Sequence, residues 1–139
     1  VNVKPRELRV RIDPGQLHQI VSNLCDNALR HGAKDHAVSI DPVIHLHGGI
    51  TADSPHPFLD VTDRGPVISR EIVEHIFEPF FTTAPQGTGL GLYICRELCE
   101  CNQARLNYRA ARPIASAPEK SGGNCFRITF ADPRRKQVA

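Results

Sequence analysis

The sequence predicts an α+β domain, a two-layer α/β sandwich in which helices cover one face of a mixed β-sheet. Two observations predict it. The hydrophobic period switches between two and about 3.6 residues along the chain, giving the order β-α-β-β-α-α-β-β. The chain also has 139 residues, 40% of them apolar, with no internal repeat and no linker. That suits a single domain over residues 1–139, with its core over about 6–132, and burial can offset chain entropy without crosslinks.

The first strand is expected over 8–12, where Leu8, Val10 and Ile12 alternate with charged residues. Asp13-Pro14 supplies a cap and a first-turn proline. The helix that follows runs to His31 and carries one buried stripe of Leu17, Ile20, Val21, Leu24, Cys25 and Ala28, with Gly32 as its stop. A strand over 38–47 and a loop over 48–57, rich in Gly, Pro, Asp and Ser, come next. A short strand over 58–63 ends on a carboxylate. Ser69 opens a short helix over 69–75, with Glu71 and Glu74 favourable in its early turns. Residues 77–83 are aromatic and irregular, and 84–89 form a flexible loop. A second long helix over 90–101 turns Leu90, Ile94, Leu98 and Cys101 inward. The last strands span 104–110 and 124–130, joined by a turn-rich connection over 116–123.

Composition removes several functions. The formal charge of +2 gives nucleic-acid binding no support, and the basic tail Arg134, Arg135, Lys136 reads as a solvated terminus. No apolar run approaches the roughly 18–20 residues that cross a bilayer, and the start shows no signal-peptide pattern, so direct membrane contact is not expected. Five cysteines without paired spacing read as small core residues, Cys95 and Cys99 among them. His45 and His47 share a strand face, but nothing nearby completes a ligand set.

Three polar clusters remain. Asn23, Asn27 and Arg30 fall on one stripe of the long helix, beside the apolar one. Asparagine is a poor interior helix residue, so two at i and i+4 with arginine at i+7 form an unusual ridge. Amide oxygens suit a magnesium ion already carrying phosphate and water, and arginine offers fixed donors to phosphate. A surface helix with ordinary polar residues is the competing account. The second cluster, Asp63-Arg64-Gly65-Pro66, ends a strand. A carboxylate there is most often a turn former. Buried instead, it accepts a hydrogen bond from an exocyclic amine and so chooses adenine over guanine, with Gly65 letting the backbone approach the base.

The third cluster is Gly87-Thr88-Gly89-Leu90-Gly91-Leu92, which leads into a helix. Glycine-rich turns at helix starts present N–H groups to phosphate, although a plain glycine hinge has the same spelling. Leu92 stands where a dinucleotide fingerprint needs its third glycine, and the chain has no Gly-Lys pair for a Walker loop.

Together these segments resemble the ATP-binding domain of two-component sensor histidine kinases, which shares its Bergerat fold (the HATPase fold) with gyrase, the Hsp90 chaperones and the MutL repair proteins. Asn23-Leu24-Cys25-Asp26-Asn27-Ala28-Leu29-Arg30-His31 looks like the N box, and Asp63-Arg64-Gly65-Pro66 like the G1 box. Glu74-His75-Ile76-Phe77-Glu78-Pro79-Phe80-Phe81-Thr82-Thr83 looks like the F box, and Gly87 through Leu92 like the G2 box. The run from Gly91 to Glu100 and the short lid are most similar to the nitrogen-regulation and type IV pilus sensor kinases.

The resemblance implies ATP and Mg2+ as cofactors. It implies Asn27 as the magnesium ligand, Asn23 where ATP-hydrolysing relatives carry a glutamate base, Arg30 on phosphate and His31 beside the nucleotide. It implies Asp63 on the adenine amine. It also implies Gly87, Gly89 and Gly91 folding the lid over the phosphates, backbone donors from Thr88 and Leu90 with Leu92 beside them, and Phe77, Phe80 and Phe81 at the base of the lid. Two positions depart from the family pattern. Val67 replaces the usual second glycine of the G1 box and does not easily take positive φ. Asn124 stands where relatives often place a threonine.

The implied reaction moves the γ-phosphate of ATP to a histidine on the parent protein's dimerisation and phosphoacceptor domain, and from there to a response regulator. None of the seven histidines here lies in such a context, so the chain is expected not to phosphorylate itself. It is expected to be a monomer, the cytoplasmic domain of an inner-membrane sensor kinase. An ATPase or serine kinase of the same fold, and a non-catalytic docking module, are the alternatives.

Overall fold

The structure, a computed structural model, describes residues 2–3, 7–32, 44–53, 55–111 and 123–133. The elements are β1 (Asn2–Val3), α1 (Pro14–Gly32), β2 (Ile44–Ile50), β3 (Pro57–Asp63), α2 (Arg70–Val73), α3 (Gly91–Cys101), β4 (Arg105–Ala110) and β5 (Asn124–Thr129). The sheet order is β1-β2-β3-β5-β4, with β1 parallel to β2 and every other pair antiparallel. The sheet is therefore mixed, as expected.

α1 starts where its sequence says it should. Asp13 Oδ1 accepts the Gln16 N–H at 2.9 Å, and Pro14 takes the first position, where no N–H is needed. Ile20, Leu24 and Ala28 are buried, with Leu17, Val21 and Cys25 packed beside them. They meet Val61, Leu106, Phe126 and Ile128, the inward side chains of three strands, and Cys95 and Cys99 of α3. Truncating Leu24, which is wholly buried, to alanine would cost about 2–5 kcal/mol. Asn102 joins the helices. Its Oδ1 accepts the Asp13 N–H at 3.1 Å, and its Nδ2 donates to Gln16 Oε1 and the Leu98 carbonyl.

The opposite face of the sheet is polar. Asp60 is 4% exposed and accepts from Arg127 Nε at 2.7 Å and Nη2 at 2.8 Å, with Arg109 Nη2 at 3.3 Å. The Arg127 guanidinium also lies 3.9 Å over the Phe58 ring. The alternation of β3 and β5 separates this network from the core.

The structure corrects several local expectations. Residues 8–12 are not a strand. Their exposure does alternate, and Val10 and Ile12 pack on the core, but they make no ladder; the first strand is β1. Alternation reports which side chains face inward, not which main chain they pair with. Of the strand expected over 38–47, residues 38–43 lie outside the described residues, and β2 continues through Gly48 and Gly49, expected as loop, into Ile50. Register with β3, Gly48 opposite Leu59 and Gly49 opposite Phe58, overrides the weak strand preference of glycine. α2 is shorter than 69–75, and Ser69 caps it without a side-chain hydrogen bond. On α3 the fully buried residues are Cys95 and Cys99, with Leu98 packed against the core as expected, whereas Cys101 is exposed. Residues 116–122 of the last connection, and the basic tail, lie outside the described residues.

All five cysteines are free. Burial pushes the thiols of Cys95 and Cys99 up to about 12, and raises those of Cys125 and Cys25.

Candidate nucleotide site

One cleft of about 690 Å³ lies between α1, the end of β3, the start of β5 and the loop that precedes α3. That volume is in the range that holds a small-molecule ligand. Asn23, Asn27, Arg30 and His31 line it from α1, and Asp63 from β3. Phe81, Gly87, Thr88, Gly89, Leu90, Gly91 and Leu92 line it from the loop and the first turn of α3. Three sequence-distant clusters thus share one cavity. Of the residues the resemblance assigns to the site, Gly65, Phe77 and Phe80 do not border it; Gly65 is buried, and its N–H is bonded to Asp63.

Asp63 is 4% exposed. Its Oδ1 accepts the Gly65 N–H at 2.8 Å, an Asx turn, and the Asn124 Nδ2 at 3.1 Å. These bonds occupy one of the carboxylate's two oxygens and keep acceptor capacity for a ligand donor. Ile68, Ile72, Ile76 and Phe126 give the cleft its apolar lining. An apolar slot with a carboxylate in it suits a flat base carrying an amine.

At the other wall, α3 begins at Gly91 after Leu90, and no side chain caps it. The first-turn N–H groups of a helix have no acceptor within the helix, so this end favours an anion. Arg30 stands on the facing helix. Phosphate therefore has donors on both sides, and the amide oxygens of Asn23 and Asn27 are the donor type a hydrated magnesium ion accepts. The residues present fit Mg-ATP.

The loop between α2 and α3 is held at both ends. The Phe80 N–H donates to the Gly89 carbonyl at 2.9 Å, and Thr82 Oγ1 accepts the Ala84 N–H at 3.1 Å. Gly89 has φ +72°, and a Cβ there would collide with the Phe80 main chain. Two roles change. The Phe80 side chain is 75% exposed, so it is the Phe80 backbone that anchors the loop, while Phe77 packs edge-on against Phe126 and Phe81 lies beside the His75 ring. The Leu90 N–H donates to Thr88 Oγ1 at 3.3 Å rather than pointing unbonded into the cleft.

Val67 lines the cleft, half exposed, and the turn needs no left-handed residue there: among the described non-glycine residues only Phe80 and Gln103 have positive φ. Sequence reasoning missed the company of Asn124. That side chain borders the cleft, is 1% exposed, and binds Asp63, Pro66, Ile68 and Tyr108. No local signal in the sequence links that side chain to Tyr108, 16 residues away. Gln19 and Asp26 also line the cleft and were not singled out. Among the described residues no helix is long and apolar enough to cross a membrane, and no three His, Cys, Asp or Glu side chains are grouped to hold a metal.

Residues 12–134 match the family of histidine kinase-, DNA gyrase B- and HSP90-like ATPases. The chain is 45% identical over 129 residues to the sensor protein kinase PilS of Pseudomonas aeruginosa, covering 93% of this chain and 22% of that protein. It is 33% identical over 118 residues to sporulation kinase A of Bacillus subtilis, covering 85% of this chain and 17% of that protein. It therefore spans only a small part of these relatives' length. In three dimensions it is similar to the nucleotide-free catalytic domain of histidine kinase ThkA, with a TM-score of 0.67 and 28% identity, covering 93% of this chain and 74% of that one.

Proposed function

This chain belongs to the histidine kinase-, DNA gyrase B- and HSP90-like ATPase family, and from that premise we propose that it binds Mg-ATP in the cleft and donates the γ-phosphate to a histidine on a separate dimerisation domain. The observation that carries the proposal is the convergence of Asn27, Asp63 and Gly89 on one cavity. The relatives, one named a sensor protein kinase and the other a sporulation kinase, support the reaction class.

In this reading Asp63 accepts the adenine amine. Arg30, His31 and the amides of Gly89, Gly91 and Leu92 take the phosphates, while Gly87 and Thr88 shape the lid over them and Phe81 closes its base. Asn27 would hold magnesium, which would supply charge neutralisation to the phosphates. Phosphoryl transfer depends on alignment and charge stabilisation. An imidazole nitrogen bonds to the γ-phosphorus as the bond to the bridging oxygen breaks, and ADP leaves. Asn23 orients the reacting groups, and since an amide takes no proton at neutral pH, it does not activate water. The parent is a type IV pilus-like sensor kinase at the inner membrane with this domain on the cytoplasmic side, and a response regulator receives the phosphoryl group afterwards.

Calorimetric titration of the folded chain with a non-hydrolysable ATP analogue and magnesium tests the proposal. Saturable binding that weakens in Asn27→Asp, and only when magnesium is present, supports it. Absence of binding by a cooperatively folded chain overturns it.

A further inference from the structure

The side-chain amide of Asn124 has all its hydrogen-bonding positions in use. Nδ2 donates to Asp63 Oδ1 at 3.1 Å and to the Pro66 carbonyl at 3.0 Å. Oδ1 accepts the Tyr108 hydroxyl at 2.6 Å and the Ile68 N–H at 3.1 Å. With two donors facing its oxygen and two acceptors facing its nitrogen, the amide has a single orientation. Tyr108 sits on β4 and does not line the cleft. Its hydroxyl also takes a share of the Ile68 N–H at 3.2 Å, and its ring leans on Phe126, centroids 5.3 Å apart, which does line the cleft.

This network does two things at once. It places a second donor on Asp63 Oδ1, beside that of Gly65, so rotation of the carboxylate is restrained. It also ties down both sides of Val67 through the Pro66 carbonyl and the Ile68 N–H. No residue from 66 to 69 takes positive φ, so the path of this turn is held by side-chain bonds from outside it, not by a glycine conformation within it. At the start of β5, Gly123 has φ +114°, and a Cβ there would collide with the Asp63 carbonyl. Asn124 is thereby brought directly against the end of β3.

We propose that Tyr108, acting through Asn124, is a positioning residue for base selection. The pair fixes the acceptor capacity of Asp63 toward the exocyclic amine of a purine and fixes the 66–68 main chain beside the base. A carboxylate held in this way accepts from an amine and repels a carbonyl oxygen, which rejects guanine by leaving buried polar groups unpaired. The proposal rests on reading Asp63 as the adenine acceptor.

The test compares ADP with purine riboside diphosphate, which lacks the 6-amino group, by calorimetry with magnesium. The proteins are the unmodified chain, Tyr108→Phe and Asn124→Thr, with thermal unfolding to check each fold. The unmodified chain should prefer ADP. Tyr108→Phe should weaken ADP by about 3- to 10-fold and leave the desamino nucleotide unchanged, and Asn124→Thr should narrow the preference further, since its hydroxyl can supply only one donor. If the unmodified chain prefers ADP and folded Tyr108→Phe keeps that preference, or loses both nucleotides equally, the positioning role is overturned while the reading of Asp63 stands. If the unmodified chain binds both nucleotides equally, the reading of Asp63 fails, and the proposal with it.

Discussion

Phe80 and Gly89 grip each other through their main chains. One N–H···O bond of 2.9 Å joins them, both have positive φ (66° and 72°), and Gly89 approaches so closely that no side chain fits between them. The loop between these two residues lines the cleft, so the shape of that wall depends on this contact.

Gly89→Ala should therefore disturb the loop and spare the core. A left-handed alanine costs about 1–2 kcal/mol, and its Cβ meets backbone that cannot swing away. Nucleotide affinity should fall more than about tenfold, while the melting temperature moves by only a few degrees. Gly91→Ala is the contrast, because its Cβ meets nothing within 4 Å. Stability should be unchanged or rise by up to about 1 kcal/mol. Thermal unfolding and calorimetry on the two variants check both statements.

Asp60→Ala should show the opposite pattern. It removes the partner of Arg127 and Arg109 on the face away from the cleft. Arg127 keeps partial solvent access, so the loss belongs in the lower part of the roughly 3–5 kcal/mol expected for a broken buried pair. Urea denaturation should show this loss, with nucleotide affinity per folded molecule unaltered.

The His75 imidazole titrates above its ordinary 6.5, because its Nδ1 is hydrogen-bonded to Glu78 Oε1 at 2.9 Å and the Glu78 charge adds to the effect. A raised folded value means that the pair's contribution is fully present below 6.5 and is lost as pH rises through the folded value. In an NMR titration the His75 midpoint should lie above 6.5, and Glu78→Gln should bring it down. The pair lies beside Phe81, a cleft residue, so the Phe81 ring signals should follow the same transition.

Incubated alone with labelled ATP, the chain should retain no phosphohistidine. A dimerisation domain from a sensor kinase of this type, supplied in trans, should acquire label that Asn27→Asp does not transfer. Stable labelling of the chain by itself would contradict the assignment of the accepting histidine to another domain.

How much of this was readable from sequence depends on the range of the interaction. The buried stripe of α1 and its Asp13-Pro14 start were legible, because helical period and capping act within a few residues. So was the order of elements from α1 onward. β1 was not, because two residues carry no period and gain their identity only from β2. Gly48 and Gly49 read as loop because their partners lie in another strand. The residues that line the cleft were visible as types and spacings, from which Asn27, Asp63 and Gly89 could be grouped through the family resemblance. The Tyr108–Asn124–Ile68 network was not visible. Its members are 16 and 56 residues apart in sequence, and no local rule links them. The resemblance placed Phe80 at the base of the lid, and there it is the main chain, at positive φ and bonded to Gly89, that does the anchoring while the side chain is exposed.

The distribution of thiols has a practical consequence. Four of the five cysteines are buried or half-buried and their ionisation is suppressed, whereas Cys101 is exposed at the end of α3 farthest from Gly91, about 15 Å along the axis. A maleimide dye or spin label should couple there selectively. The native sequence thus already carries a spectroscopic handle for following the glycine-rich loop at a distance, with no need for a cysteine-free background.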